Sequence, residues 1–190
     1  MDIGIFGGSF NPIHNGHISL GRQLLSLARL DCVWFMVSPQ NPLKRQSELL
    51  DDDVRMKLAR TALRNEPRMS ACDHEMGMPK PSYTWKTMRS LSGAYPSHRF
   101  TLIIGADNWL CFTRWRNHEE LLANYPIAIY PRTGSPIDIA SLPPSVHLYD
   151  MPLIDISSTD IRQRVKQGLS IDTLVPADVA RIIAEDGLYA

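Results

Sequence analysis

The sequence predicts a doubly wound α/β fold: a mostly parallel sheet with helices on both faces and a small helical C-terminal piece. Short apolar runs bounded by glycine or proline are typical of strands that are buried on both faces. Segments with apolar residues at helical spacing alternate with these runs, as in chains built from strand–helix–strand units. The 190 residues, 44% of them hydrophobic, suffice for one sizeable core, so we expect a single domain over residues 1–190.

The first half of the chain alternates strands and helices. The apolar run at 3–6 ends at two glycines, and leucines then repeat at helical intervals. Asp51 to Asp53 are suited to the start of a further helix, because acidic side chains favour helix N-termini. In order we predict a strand at 3–6, a helix over 15–29, a strand at 32–37, a helix over 51–65, a weaker strand at 68–72 and a helix from about residue 83.

The second half continues the alternation and ends in helices. "RFTLIIGA" (99–106), "PIAIYPR" (126–132) and "SVHLYDMP" (145–152) are predicted strands. Helices are expected over 157–167 and over the closing stretch, where Pro176 stands near the start and Gly187 at the end. These two helices form the predicted C-terminal piece, about residues 157–190.

The composition argues against several classes of partner. With 20 basic and 20 acidic residues the formal charge is zero, so we expect no nucleic-acid or membrane-surface partner. No apolar run reaches the 18 or more residues of a membrane span, and Asp2 stands where a signal peptide would carry a base. Three widely spaced cysteines, at positions 32, 72 and 111, suit a reducing compartment, so we expect a cytoplasmic protein.

The turn after the first strand is the first candidate site. Ligands of doubly wound sheets bind beyond the carboxyl ends of the strands, and Gly7 and Gly8 allow close approach of a phosphate. Ser9 adds a hydroxyl donor at this turn. His14 and His17 are three residues apart at the start of a helix, so both imidazoles can face an anion at the helix N-terminus. Such imidazoles can donate hydrogen bonds to phosphoryl oxygens.

The two histidines could also bind zinc or serve a purely structural role. A zinc ion would need further ligands, and only Cys72 and His74 are loosely suitable. The glycine turn beside the histidines argues against a purely structural pair. The dinucleotide-binding G-x-G-x-x-G spacing is absent, which argues against a nicotinamide-dependent dehydrogenase.

"GGSFNPIHNGH" resembles the (T/S)-x-x-H-x-G-H signature of the nucleotidyltransferase superfamily, whose members transfer a nucleoside monophosphate from a triphosphate to an acceptor. The resemblance implies a Rossmann-like fold. Asn11 departs from the commoner "DP-x-H" form and removes a charge. Within this stretch the resemblance assigns ATP binding to Gly7, Gly8, Ser9, Phe10, His14 and His17.

"ISSTDIRQRV" (156–165) is similar to the second motif of the same superfamily. Ser157, Ser158 and Thr159 offer a helix cap with hydroxyl and amide donors, and Arg162 follows one turn later, within reach of an anion. An ordinary capped helix with a solvated arginine is the alternative. The resemblance makes all four residues part of the ATP site.

Transfer between two polyanions calls for positive charge around the reacting phosphate. The candidates are His14, His17, Lys44 and Arg162, together with Mg²⁺ carried by the ATP phosphates rather than by a protein metal site. Lys44 matches the position of a basic phosphate contact in the family. A solvated loop lysine is an equally good interpretation.

"KPSYTWKT" (80–87) and "IGADNWLCFTRWRNHEEL" (104–121) are similar to segments of the bacterial nicotinate-mononucleotide adenylyltransferases. The resemblance implies that Gly105 and Asp107 contact the adenosine and that Trp115 stacks on the pyridine ring. It also implies that backbone amides at Thr84 and Arg116 bind the nicotinate carboxylate. A helix cap for Asp107 and core packing for Trp115 are the alternatives.

The function implied by the resemblance is adenylyl transfer from ATP to nicotinate mononucleotide, giving deamido-NAD and pyrophosphate. A phosphopantetheine adenylyltransferase shares both signatures but usually has a shorter chain without the "SYT" and "RW" pair. A non-catalytic nucleotide-binding module is the second alternative, and intact His14, His17 and Arg162 argue against it. The partners expected are thus small-molecule substrates, and a homo-oligomer stays open.

Overall fold

Six parallel strands form one sheet in the computed structural model, which describes residues 1–39 and 49–190. The strands are β1 (Asp2–Gly8), β2 (Cys32–Val37), β3 (Met69–Cys72), β4 (Arg99–Gly105), β5 (Ile127–Tyr130) and β6 (Val146–Leu148). Their order is β3-β2-β1-β4-β5-β6, and every neighbouring pair runs parallel. The chain therefore reverses its direction of travel across the sheet between β1 and β4, which is where doubly wound folds bind ligands.

Helices cover both faces of the sheet. They are α1 (Asn15–Leu27), α2 (Asp52–Leu63), α3 (Thr84–Ala94), α4 (Ala106–Leu110), α5 (His118–Asn124), α6 (Ser158–Lys166) and α7 (Ala177–Glu185). Ile5 and Phe6 are neighbours in β1 but belong to separate apolar clusters, because successive side chains of a strand point to opposite faces. Helices α1, α2, α6 and α7 pack on the cluster of Phe6, and α3, α4 and α5 on that of Ile5.

These layers confirm the predicted fold class. In the described part of the chain, no helix is long and apolar enough to cross a membrane.

Two local differences from the sequence prediction have physical causes. β1 continues through both glycines, because Gly7 and Gly8 pair with Met36 and Val37 through the backbone alone. The short helices α4 and α5 were not predicted, since segments of five and seven residues are too short to show an apolar period.

The C-terminal piece packs on the same core as the helices before it. Val179 and Ile183 of α7 are buried in the cluster that also contains Phe6. The Asn15 backbone N–H donates to the carbonyl of Leu174 at 2.8 Å, and its side chain donates to that of Thr173 at 3.0 Å. We propose on this basis that residues 1–190 fold as one domain.

Candidate active site

The strand order places the ends of β1, β4 and β5 side by side at the carboxyl edge of the sheet. The turn after β1 and the start of α4 after β4 therefore lie next to each other. Tyr130, the last residue of β5, packs against Phe6 of β1, with 5.7 Å between the ring centroids. The first predicted motif and the adenosine segment consequently share one edge.

The Phe10 side chain packs against the glycine turn on the side of the core. It has a φ of 44° and is buried, 3% exposed, with ring contacts to Phe6, Phe35 and His17. Because the ring faces the core, only the backbone of Phe10 is placed to meet a ligand.

His14 and His17 stack on each other and cap α1 reciprocally. Their ring centroids are 3.6 Å apart, and the ring planes differ by 21°. The backbone N–H of His17 donates to Nδ1 of His14, and the N–H of His14 donates to Nδ1 of His17, both at 3.3 Å. Since Nδ1 accepts in each ring, a neutral imidazole carries its proton on Nε2. Both side chains thus present an Nε2–H donor.

The environment of His14 keeps its imidazole neutral. Burial, and to a smaller extent the positive charge of Arg132, lower the pKa of His14 from 6.5 to about 3. At neutral pH and without a bound anion, His14 is therefore a hydrogen-bond donor without a charge. This differs from the expectation that it serves as a cation.

Arg132, which the sequence analysis did not name, is a cation close to two predicted site residues, Asp107 and His14. It follows β5 by two residues, and its guanidinium lies 5.3 Å from the centroid of the Tyr130 ring. Its Nε is 3.8 Å from Oδ1 of Asp107. The sequence contained a signal for this residue: it is a cation just beyond a buried strand, at the edge of the sheet where ligands bind.

Gly16 leaves room for the stacked imidazoles. A Cβ at this position would stand 2.8 Å from Cγ2 of Ile154 and 3.0 Å from Nδ1 of His14. Any larger residue would displace the His14 ring or the segment before α6. The glycine of the first motif is therefore required by packing.

The second motif binds directly to the first. Oγ of Ser158 donates to the carbonyl of Pro12, 146 residues away, at 2.9 Å. Nη1 of Arg162 donates to the carbonyl of Asn11 at 2.9 Å. Ser157 caps α6 by accepting from the N–H of Asp160 at 3.1 Å. The structure thus brings Ser158 and Arg162 to the turn that carries the histidines, while Thr159 is exposed at the start of α6.

Gly105 and Asp107 lie at the end of β4 as predicted. A Cβ on Gly105 would clash with Oδ1 of Asp107 and would stand 3.1 Å from the Tyr130 ring. Asp107 is exposed and makes no side-chain cap at the start of α4. The capping interpretation of Asp107 is therefore wrong.

The two predicted acceptor segments touch each other. The guanidinium of Arg116 lies 5.2 Å from the centroid of the Tyr83 ring, and Thr84 is the next residue and begins α3. Trp115 is half-buried and packs on Phe112 at 5.4 Å. Its indole Nε1 is buried and has no hydrogen-bond partner among the described residues. Trp115 therefore packs in the protein while part of its ring stays accessible.

Two further expectations concern cations and metals. Lys44 lies outside the described residues. Over residues 1–39 and 49–190, no three His, Cys, Asp or Glu side chains cluster in a way that could hold a metal ion. His74, considered above for zinc, instead pairs its Nε2 with Oγ of Ser90 at 2.8 Å.

The chain as a whole is similar to known nucleotidyltransferases. Residues 5–164 match the family model described as cytidylyltransferase-like. A probable nicotinate-nucleotide adenylyltransferase of Bacteroides fragilis (strain YCH46) is 45% identical over 183 residues, covering 96% of this chain and 91% of that protein. One of Cytophaga hutchinsonii is 44% identical over 190 residues, covering 100% and 99%.

A solved structure shows the same fold. It is that of Plasmodium falciparum nicotinic acid mononucleotide adenylyltransferase complexed with NaAD. The TM-score is 0.84 at 21% identity, and the match covers 99% of this chain and 97% of that one.

The low pKa of His14 predicts acid-sensitive folding. The unfolded imidazole binds a proton below pH 6.5, whereas the folded one resists it down to about pH 3. Stability present above pH 6.5 is therefore lost as the pH falls through this window, by up to about 1.4 kcal/mol per pH unit. Urea unfolding at pH 6.5, 5.5 and 4.5 should show a shallower fall for His14→Asn, which keeps a capping side chain.

His147→Asn is the matched control, because His147 is exposed. It should retain the pH dependence of the wild-type protein. Parallel stability curves for the wild type and His14→Asn would contradict the assignment of a neutral, buried His14.

Proposed function

Because this chain belongs to the cytidylyltransferase-like family, and within it to the nicotinate-nucleotide adenylyltransferases, we infer that it transfers AMP from ATP to nicotinate mononucleotide. The products are deamido-NAD and pyrophosphate, in the path to NAD. Within the site, the contact between the two motifs supports this function most directly. Ser158 and Arg162 donate to the turn that leads into the stacked histidines.

The reaction needs alignment and charge stabilisation rather than a protein nucleophile. A phosphate oxygen of the mononucleotide attacks the α-phosphorus of ATP, and the bond to the β-phosphate oxygen breaks as pyrophosphate leaves. The Nε2–H groups of His14 and His17 donate to the α-phosphate oxygens as negative charge shifts toward the leaving group. Arg162, held at the same turn, supplies positive charge.

The turn after β1 and the start of α6 supply the remaining phosphate contacts. Both offer backbone N–H groups near a helix N-terminus, where anions bind favourably. The residues concerned are Gly7, Gly8, Ser9, Phe10, Ser157, Ser158 and Thr159. Lys44 is an additional phosphate contact on the strength of its position in the family motif.

Two separate groups of residues bind the two ends of the dinucleotide. Gly105 and Asp107 contact the adenosine, where the Asp107 carboxylate can accept from ribose hydroxyls. Trp115 stacks on the pyridine ring, and the backbone amides at Thr84 and Arg116 bind the nicotinate carboxylate. The contact of Arg116 with the Tyr83 ring supports this assignment, because it holds the two segments together.

Mg²⁺ enters with ATP in this proposal. The described residues around the histidines are mainly donors, so the phosphate oxygens and water are the natural ligands of the ion. When bound, it neutralises charge on the triphosphate and on the leaving pyrophosphate.

We place the enzyme in the cytoplasm. Cys32, Cys72 and Cys111 are all free thiols, which is the usual state in a reducing compartment.

A pyrophosphate-release assay with ATP and three acceptors tests the substrate. Nicotinate mononucleotide should be used at least about tenfold better than its amide, because the amide nitrogen cannot accept from the backbone N–H groups that bind the carboxylate. Phosphopantetheine should give no turnover. Equal use of acid and amide would refute the proposed carboxylate binding, and use of phosphopantetheine alone would refute the function.

Removal of Mg²⁺ should stop the reaction without unfolding the protein. EDTA in excess should abolish pyrophosphate release, and Mg²⁺ beyond the chelator should restore it, because the ion acts on the ATP phosphates. The midpoint of thermal unfolding without ATP should be the same with and without EDTA. An undiminished rate in EDTA would exclude an obligatory metal.

His17→Ala should lower turnover by about a hundredfold or more, because it removes a donor to the reacting phosphate. His17→Asn should restore an acceptor for the N–H of His14 but not the lost rate. His147→Ala, on the exposed side of β6, is the control and should keep wild-type turnover. Turnover of His17→Ala within threefold of wild type would remove His17 from the mechanism.

A further inference from the structure

Arg55 is a fully buried guanidinium, 0% exposed, in the first turn of α2. Its Nε donates to the carbonyl of Leu50 at 3.0 Å, and Nη1 donates to that of Ser38 at 2.9 Å and also to that of Ser9. Nη2 lies 2.6 Å from Oδ1 of Asp52 and 3.5 Å from the carbonyl of Pro39. The buried charge is thus paired with one carboxylate and several carbonyls.

The partners of Arg55 come from three segments at the carboxyl edge of the sheet. Ser9 belongs to the turn after β1, Ser38 and Pro39 follow β2, and Leu50 and Asp52 stand at the start of α2. Packing alone would be served by an apolar side chain, since a buried ion pair is weak evidence of stabilisation. A guanidinium in this place instead fixes the relative positions of backbone carbonyls, because each leaves an unsatisfied polar group if the geometry changes.

Asp52 extends this connection to the acceptor segment. Its second oxygen, Oδ2, pairs with Nζ of Lys80 at 2.9 Å. Burial alone would raise the pKa of Asp52, but hydrogen bonds from Lys80 and Arg55 outweigh it and lower the pKa. The carboxylate therefore stays ionised between two cations. Lys80 begins the stretch "KPSYT" that leads into α3.

We propose that Arg55 is a positioning residue for adenylyl transfer: through Ser9 on one side and the Asp52–Lys80 pair on the other, it fixes the ATP phosphate turn relative to the acceptor segment. The proposal rests on the proposed function for the identity of the two substrates. Arg55 touches neither substrate itself. Its effect is to hold the attacking and reacting phosphates in line, which small displacements of either turn would disturb.

Arg55→Lys keeps the charge but places three donors on one nitrogen, so it cannot span Ser9, Leu50 and Asp52 together. We expect kcat to fall by about thirtyfold, measured at a temperature where circular dichroism shows wild type and variant fully folded. Lys80→Met breaks only the outer link. It should raise the KM for the mononucleotide by about threefold and leave the KM for ATP unchanged.

The control is Val146→Ala, which removes buried methyl groups from β6, a strand that contributes no proposed site residue. It should lower the unfolding midpoint while leaving kcat and both KM values as in wild type. If Arg55→Lys behaves like this control, with lower stability and wild-type kinetics, the positioning role is refuted. If Arg55→Lys does not fold, Asp52→Asn, which weakens both links, must lower kcat or the proposal fails.

A binding measurement separates this proposal from the proposed function. Calorimetry with a non-hydrolysable ATP analogue and no acceptor should show weaker binding to Arg55→Lys than to wild type, because the Ser9 turn is displaced. Wild-type protein that binds the analogue but transfers no AMP to the mononucleotide would refute the function alone. Equal affinity of wild type and Arg55→Lys, with kcat within twofold, would overturn the role of Arg55 alone.

Discussion

The turn between β1 and α1 imposes the constraint on which the site depends. Its carbonyls lie outside regular secondary structure at the mouth of the sheet, and buried carbonyls need donors. Side chains of α2 and α6 supply them: Arg55 to Ser9, Arg162 to Asn11 and Ser158 to Pro12. The geometry of the turn, and with it the position of the histidines, therefore depends on two helices that lie far from it in the sequence.

The sheet and both motifs could be predicted because their signals are local. Apolar runs mark the strands, and the histidine pair and the "ISSTDIR" segment each carry their pattern within a few residues. Arg55 and Arg132 could not be predicted as part of the site, because a charged side chain in an amphipathic helix or a loop is usually solvated. Arg55 is instead buried by three segments that are distant from one another in the sequence. The proximity of Arg132 to the other site residues can be recognised only when the order β1-β4-β5 in the sheet is known.

A protein without net charge can bind and align two polyanionic substrates when hydrogen-bond donors at the site, rather than the overall charge, stabilise the phosphates. The reciprocal cap fixes Nδ1 of both histidines as acceptors, so their Nε2–H groups point away from the cap without needing a positive charge. Burial and the positive charge of Arg132 keep His14 neutral. The cap itself opposes protonation, because a charged imidazole has no acceptor nitrogen left for the capping N–H.

Asn11, where the sequence departs from the family motif, is likewise a neutral hydrogen-bonding group in place of a charged one. Its Oδ1 accepts from the backbone N–H of Leu50 at 3.3 Å and from the hydroxyl of Tyr189 at 2.9 Å. Burial raises the pKa of Tyr189, which keeps the phenol protonated as a donor. An aspartate could accept both bonds, but it would add a negative charge at a position that is only 6% exposed. The amide keeps the acceptor without the buried charge, and it connects Tyr189 to the turn that positions the histidines.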